Sequence, residues 1–171
     1  MTEGANSPRI LFVCSKNGGK SQLAAGLMRD LAGNDVTVYS AGTRPGSCLN
    51  SEAVESLNEL GIDITGEHPK AVTDEVLDAV DVVIVLGTEA KLEAREGTRF
   101  ETWETDEPST RGIEGTERMR IVRGNLNPRL RTPYQELTGN RARRNNATQV
   151  CLGTARHIAC RGRVCVISGR T

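Results

Sequence analysis

No run of about 18 apolar residues occurs in this chain, so nothing in it is expected to span a membrane. Met1 to Pro8 is polar and lacks the basic and apolar regions of a secretory signal. The cytoplasm is therefore the expected location. The five cysteines include no C-x-x-C pair and no cysteine–histidine spacing suited to zinc, so no bound metal or other cofactor is expected. In a reducing compartment they should be thiols, and any disulfide among them redox-active rather than structural. His68 and His157 have no ligand-like neighbours in sequence and read as surface residues. From residue 140 to 171 there is no Lys, Asp or Glu but seven Arg, which leaves residues 1–139 with 15 basic residues against all 22 acidic ones. The body is thus acidic and the tail basic. No aromatic residue lies near the Arg cluster at 141 to 144 to stack a base, so nucleic acid is not an expected partner.

What is present is long enough for one compact domain with a buried core. We read residues 1–8 as a flexible N-terminus, 9–139 as the folded body and 140–171 as a basic, poorly ordered tail. The body is organised around Val13-Cys14-Ser15-Lys16-Asn17-Gly18-Gly19-Lys20-Ser21. An apolar run, Ile10 to Val13, reads as a buried strand before it, and Gln22 to Leu31 reads as a helix after it, with an apolar face at Leu23, Leu27 and Leu31. A strand ending and a helix beginning across one loop direct backbone N–H groups and the positive end of a helix dipole at one spot. Such a spot suits an anion, and a cysteine there is expected to be held partly as thiolate.

Strand and helix signals alternate from there. Asp35 to Ser40 reads as a strand that stops at Ala41-Gly42-Thr43. Asn50 or Ser51 caps a helix through Ala53, Val54, Leu57 and Leu60, which Gly61 ends. Ile62 to Ile64 reads as a brief strand, and Thr73 caps a short helix through Val76, Leu77 and Val80. Val82 to Leu86, the most apolar run, reads as a central parallel strand covered on both faces. A polar helix from Glu89 to Glu96, an edge strand from Phe100 to Trp103 and a helix from about Ile113 to Arg131 complete the body. In the tail, Val164 to Ile167 reads as a strand and Arg141 to Asn146 as disordered. The fold class is α/β: a doubly wound open sheet of about four parallel strands with helices on both faces. Ligands should sit beyond the carboxyl ends of the strands, where Cys14, Ser40 to Thr43 and Gly87 gather.

Cys14-x4-Gly19-Lys20-Ser21 comes within one residue of the nucleotide-binding pattern G-x4-G-K-[ST]. Cys14 replaces the first glycine, however, and Val82 to Leu86 runs into Gly87-Thr88 rather than a magnesium carboxylate. Nucleotide hydrolysis is not the expected chemistry. The set Val-Cys-x-x-Asn-x-x-[Arg/Lys]-Ser, then Ser40-Ala41-Gly42-Thr43, then a late acidic-Pro pair, resembles the low-molecular-weight protein tyrosine phosphatase family. Within it, the loop C-x-x-N-G-G-K-S and the stretch Arg118 to Arg123 are most similar to mycothiol-dependent arsenate reductases (arsenate-mycothiol transferases). The resemblance covers roughly Arg9 to Arg123.

That resemblance implies arsenate as substrate, Cys14 as the attacking thiolate and Lys20 as the positive charge, with Ser15, Lys16, Asn17, Gly18, Gly19 and Lys20 forming the oxyanion loop. It further implies that Asn17 holds the loop's shape and that Ser21 donates to the Cys14 sulfur. Glu107, before Pro108, stands where the family keeps an aspartate general acid, and Asp106 is the alternative. Lys20 stands where the phosphatases carry Arg, and a point charge in place of a planar fork should leave phosphatase activity weak. Gly87 to Thr98 lacks the two cysteines that thioredoxin-coupled relatives use. An external thiol, mycothiol, with mycoredoxin or another glutaredoxin-like reductant, is the expected partner. Three other readings stay open: a tyrosine phosphatase, a thioredoxin-coupled reductase using Cys48 or a tail cysteine, and a non-catalytic oxyanion-binding protein.

Overall fold

The computed structural model describes the backbone of residues 7–159 and the side chains of residues 7–139. Strands β1 (Arg9–Cys14), β2 (Thr37–Gly42), β3 (Val82–Leu86) and β4 (Arg99–Trp103) form one sheet in the order β2-β1-β3-β4. Every pairing is parallel. Helices α1 (Lys20–Ala32), α2 (Ser51–Asn58), α3 (Asp74–Ala79) and α4 (Gly115–Ala159) connect and flank the strands, with a single 3-10 turn at Pro108–Arg111. This is the doubly wound, four-stranded α/β architecture expected. The chain divides into two compact units, Met1–Thr138 and Gly139–Thr171, and the sheet lies wholly in the first.

The two-residue period of a strand sorts its side chains to opposite faces. Ile10, Phe12 and Cys14 join Val82, Ile84 and Leu86 in a core covered by α1, α2 and the first turns of α4. Leu11 and Val13 join Val83 and Val85 in a smaller core beneath α3. Covered on both faces, β1 from Ile10 onward and the whole of β3 can be apolar, as their sequences are. The strand order reverses between β1 and β3, so the chain leaves the sheet in opposite directions there. That crevice lies beyond Cys14 and Leu86, where open parallel sheets take ligands.

Several expectations need correction. Leu31 is exposed, because residues four apart advance about 40° round a helix at each step and drift off the apolar line. Met28 and Ala32 occupy the core positions instead. Leu60 lies beyond the end of α2 and is also exposed. Ile62 to Ile64 forms no strand, although Ile64 is buried. Glu89 to Glu96 forms no helix: Ala90 and Leu92, two apart, both pack into the α3-side core, a spacing that an extended backbone satisfies and a helix does not. The last helix begins at Gly115 and continues to Ala159, through Pro128, Pro133 and Arg141 to Asn146. Each proline removes a ladder bond. Val122, Leu126 and Leu130, spaced four apart and fully or almost fully buried, hold the helix to the core across the first interruption. Val164 to Ile167 lies outside the described residues.

Candidate active site

Cys14 is the last residue of β1, and its side chain is buried on the α1 face. The next five residues turn back to start α1 at Lys20. What shapes the turn is the direction of its carbonyls. Cys14 O accepts from Thr43 N at 3.1 Å, Ser15 O from Arg44 N at 2.8 Å, Lys16 O from Gly46 N at 2.9 Å and Gly18 O from Asn50 N at 2.9 Å. Asn17 O accepts from Gln22 Nε2 at 3.2 Å, and Gly19 O from Leu23 N at 2.9 Å. Every carbonyl from Cys14 to Gly19 is thereby engaged. The amides of Ser15, Lys16, Gly18 and Gly19 donate to no protein acceptor among the described residues. Gly19, at the N-cap of α1, offers no side-chain cap, and the first turn holds no acidic residue. A helix start with open amides and no carboxylate is a site for an anion.

Asn17 fixes this geometry. Its φ of 51° is left-handed, a conformation that asparagine tolerates better than most residues. Its Oδ1 accepts from Lys70 N at 2.8 Å, and since that partner can only donate, Nδ2 must face Ser21 Oγ, 2.8 Å away. The Ser21 oxygen thus accepts from Asn17 and keeps its own proton for the Cys14 sulfur at 3.0 Å. Asn17 N approaches the same sulfur at 3.2 Å. Expected to face the oxyanion, that amide faces the nucleophile instead. Gly42 closes the back of the loop: a Cβ there would stand 2.8 Å from Ser15 O and 2.9 Å from Asn17 N, both backbone atoms.

Lys20 lies half-buried with Nζ paired to the Glu107 carboxylate, next to Gly87. Burial pushes its ammonium below the ordinary value of 10.5; the charges of Glu89 and Cys14 offset part of this, and Arg118 adds to it. Glu107 is therefore brought to the loop. Asp106 is turned away: both of its oxygens are held at 2.7 Å by the Arg111 fork, which keeps the carboxyl below the usual carboxylate range. Lys16 is exposed, and Cys48 is an exposed free thiol whose backbone oxygen borders Gly18. His68 is exposed, as expected, while the side chain of His157 lies outside the described residues, as do those of Cys151, Cys160 and Cys165. No group of three or more metal-ligating side chains occurs among the described residues.

Residues 9–132 match the sequence model of the family described as low molecular weight phosphotyrosine protein phosphatase. The chain belongs to that family. A curated member, the glutaredoxin arsenate reductase of Synechocystis, is 31% identical over 125 residues, which cover 71% of this chain and 92% of that protein. Among solved structures of the fold, the thioredoxin-dependent arsenate reductase of Corynebacterium glutamicum aligns with a TM-score of 0.68 at 30% identity, over 80% of this chain and 65% of its own. An arsenate reductase in a phosphate-binding state gives 0.67 at 28%, over 76% and 98%.

Sequence reasoning missed the residues that support the family's loop from afar. Lys70 and Glu89 carry no local motif, and they, like Gly42 and Arg118, bear on the site only through the tertiary fold. Gly42 left a trace within Ser40-Ala41-Gly42-Thr43, and Arg118 one in the stretch Arg118 to Arg123.

Proposed function

We propose that this protein is an arsenate reductase whose Cys14 thiolate attacks the arsenic of arsenate. The observation that carries the reading is the loop itself, with its carbonyls bonded outward, its amides open, and a hydroxyl and an amide donor meeting one sulfur. The names of the curated and structural relatives support arsenate over a phosphomonoester. So does Lys20, which lacks the fork that clamps a phosphoryl transition state.

The cycle follows from bond and electron counting. Cys14 sulfur bonds arsenic and one arsenate oxygen leaves as water, with Glu107, released from Lys20 as the anion takes that charge, relaying it a proton from solvent; arsenic stays at oxidation state V. Asp106, turned from the loop with both oxygens on the Arg111 fork, serves to hold the turn. An external thiol then attacks arsenic and displaces Cys14. A second thiol attacks the sulfur of that adduct, forming a disulfide and releasing arsenite, so the two thiols supply the two electrons. We assign mycothiol to the first role and a mycoredoxin or similar glutaredoxin-like protein to the second, because Gly87 to Thr98 carries no cysteine. A second reading draws on the exposure of Cys48 at the rim of the loop: it serves as an internal resolving thiol, and thioredoxin reduces the resulting disulfide.

Arsenate-dependent reductant consumption, run with mycothiol plus mycoredoxin and separately with thioredoxin, tests both. Turnover with mycothiol that disappears in Cys14→Ser, a loss of at least about a thousandfold, is the expected result. Turnover with thioredoxin alone that disappears in Cys48→Ser would establish the second reading, and full turnover in Cys14→Ser would end both.

A further inference from the structure

We propose that Arg118 is a second cation of the oxyanion site and that, with Lys20, it selects a doubly charged tetrahedral anion over a singly charged one. Three contacts place it. Its neighbour Met119 packs its methyl group against Gly19, where an added Cβ would stand 3.2 Å from Met119 Cε. Its own NH2 group meets Glu52 Oε2 at 3.0 Å, and Glu52 lies in the first turn of α2. The N-cap of that helix is Asn50, whose amide holds Gly18 O. The start of α4 is thus seated on the anion loop from one side, and α2 from the other.

The guanidinium is incompletely used. Glu52 takes one nitrogen, while Nε is buried and meets no acceptor among the described residues. A buried charged donor without an acceptor is unfavourable, and an arginine offers five N–H groups in a fixed fork. Arg118 also adds to the depression of the Lys20 ammonium, so the two cations repel each other. An anion bearing two charges relieves that repulsion and supplies the missing acceptor. One bearing a single charge does less of both. The loop residue is a lysine, a point charge; Arg118 restores a planar fork from a different element, α4.

This inference rests on the oxyanion-binding reading of the loop but not on arsenate reduction, and the test separates them. Full-length protein is alkylated with iodoacetamide at pH 8, and modification of the Cys14 peptide is followed by mass spectrometry against rising arsenate, sulfate or perchlorate. Arg118→Met should raise the half-protecting concentration of arsenate and sulfate by about tenfold, while that of singly charged perchlorate changes by less than about twofold. Glu52→Gln removes the same ion pair and frees the fork, so it should protect at least as well as wild type. A merely structural pair would make the two variants alike, with weaker protection by all three anions or by none, and that result overturns the proposal. Where Arg118→Met does not fold, Arg118→Gln decides: unchanged arsenate protection overturns the proposal, and weaker protection by the two dianions alone supports it. Protection without arsenate turnover in the wild type would sink the reductase reading and leave this one standing.

Discussion

Two connections leave the carboxyl ends of adjacent central strands, and they differ in every respect that matters. The loop after β1 is five residues long with each of its carbonyls bonded, and it ends in a thirteen-residue helix. The segment after β3, from Gly87 to Thr98, has no regular structure. Its backbone hydrogen bonds are few, Gly87 N to Trp103 O at 2.9 Å and Thr98 N to Arg95 O at 3.4 Å among them, and the Arg95 side chain ties it to Asp74 and Asp78. It packs Ala90 and Leu92 on the opposite face of the sheet from Cys14 and there borders a hollow of about 540 Å³ with Val85 and Phe100. The contrast shows where the chemistry is held. One connection is preorganised around a sulfur, while the other lends the site Gly87, whose φ of 86° suits only glycine well, and the charge of Glu89.

The comparison breaks most completely at Gly42. Adding one methyl group there drives a Cβ against two backbone atoms of the β1 loop, neither of which can rotate away. Gly42→Ala should cost about 1–3 kcal/mol in urea unfolding. It should also lower arsenate turnover by about a hundredfold, since a shift of about 1 Å in a reacting group has that effect. An alanine at Gly97 in the other connection, where nothing lies within 4 Å, tests the contrast. It should leave turnover within about twofold and cost only the strain of a positive φ, about 1 kcal/mol.

How much of this was legible in the sequence follows the same division. The β1 loop could be read because its parts are contiguous: a strand, Cys14, two glycines, Lys20 and a helix within about twenty residues. The central place of β3 could be read because Val82 to Leu86 is apolar throughout and so must be covered twice. What could not be read is the clamp. Asn17 is locked by the amide of Lys70, 53 positions away, from a stretch that reads only as a polar loop. Arg118 stands in a stretch that the family resemblance marks, but nothing local shows that its charge bears on Lys20. In the second connection, alternating charges between Glu89 and Glu96 imitate a surface helix, yet the apolar pair Ala90 and Leu92 has strand spacing. Burial of that pair overrides the composition.

Lys20 and Glu107 join the loop to the turn after β4, and they sharpen the comparison at the next level of effect. Glu107→Gln should lower kcat by about a hundredfold through loss of the proton donor, whereas Asp106→Asn should change it by less than about threefold. Equal losses would exchange the roles of the two carboxyls. Lys20→Arg should raise hydrolysis of p-nitrophenyl phosphate by about tenfold, because the fork replaces a point charge. The pH dependence has a definite sign. Because the folded Lys20 titrates below 10.5, oxyanion protection of Cys14 in the wild type should decline before that pH, and Lys20→Arg should abolish the decline. Between the depressed value and 10.5 the unfolded chain binds the extra proton, so this lysine makes stability rise with pH in that window.

The smallest effect is expected at Cys48, and it decides whether the second connection's lack of cysteine matters. Cys48 lies between β2 and α2, exposed, with its backbone oxygen against Gly18. If arsenic leaves Cys14 for an external thiol, Cys48→Ser changes turnover with mycothiol by less than about twofold, within the range of a neutral surface substitution. Mass spectrometry of the protein after arsenate alone would then show no disulfide between Cys14 and Cys48. A disulfide there, with turnover lost in Cys48→Ser, would mean that the segment joining β2 to α2 supplies the resolving thiol that the one after β3 does not carry, and the task of regeneration would pass from one connection to the other.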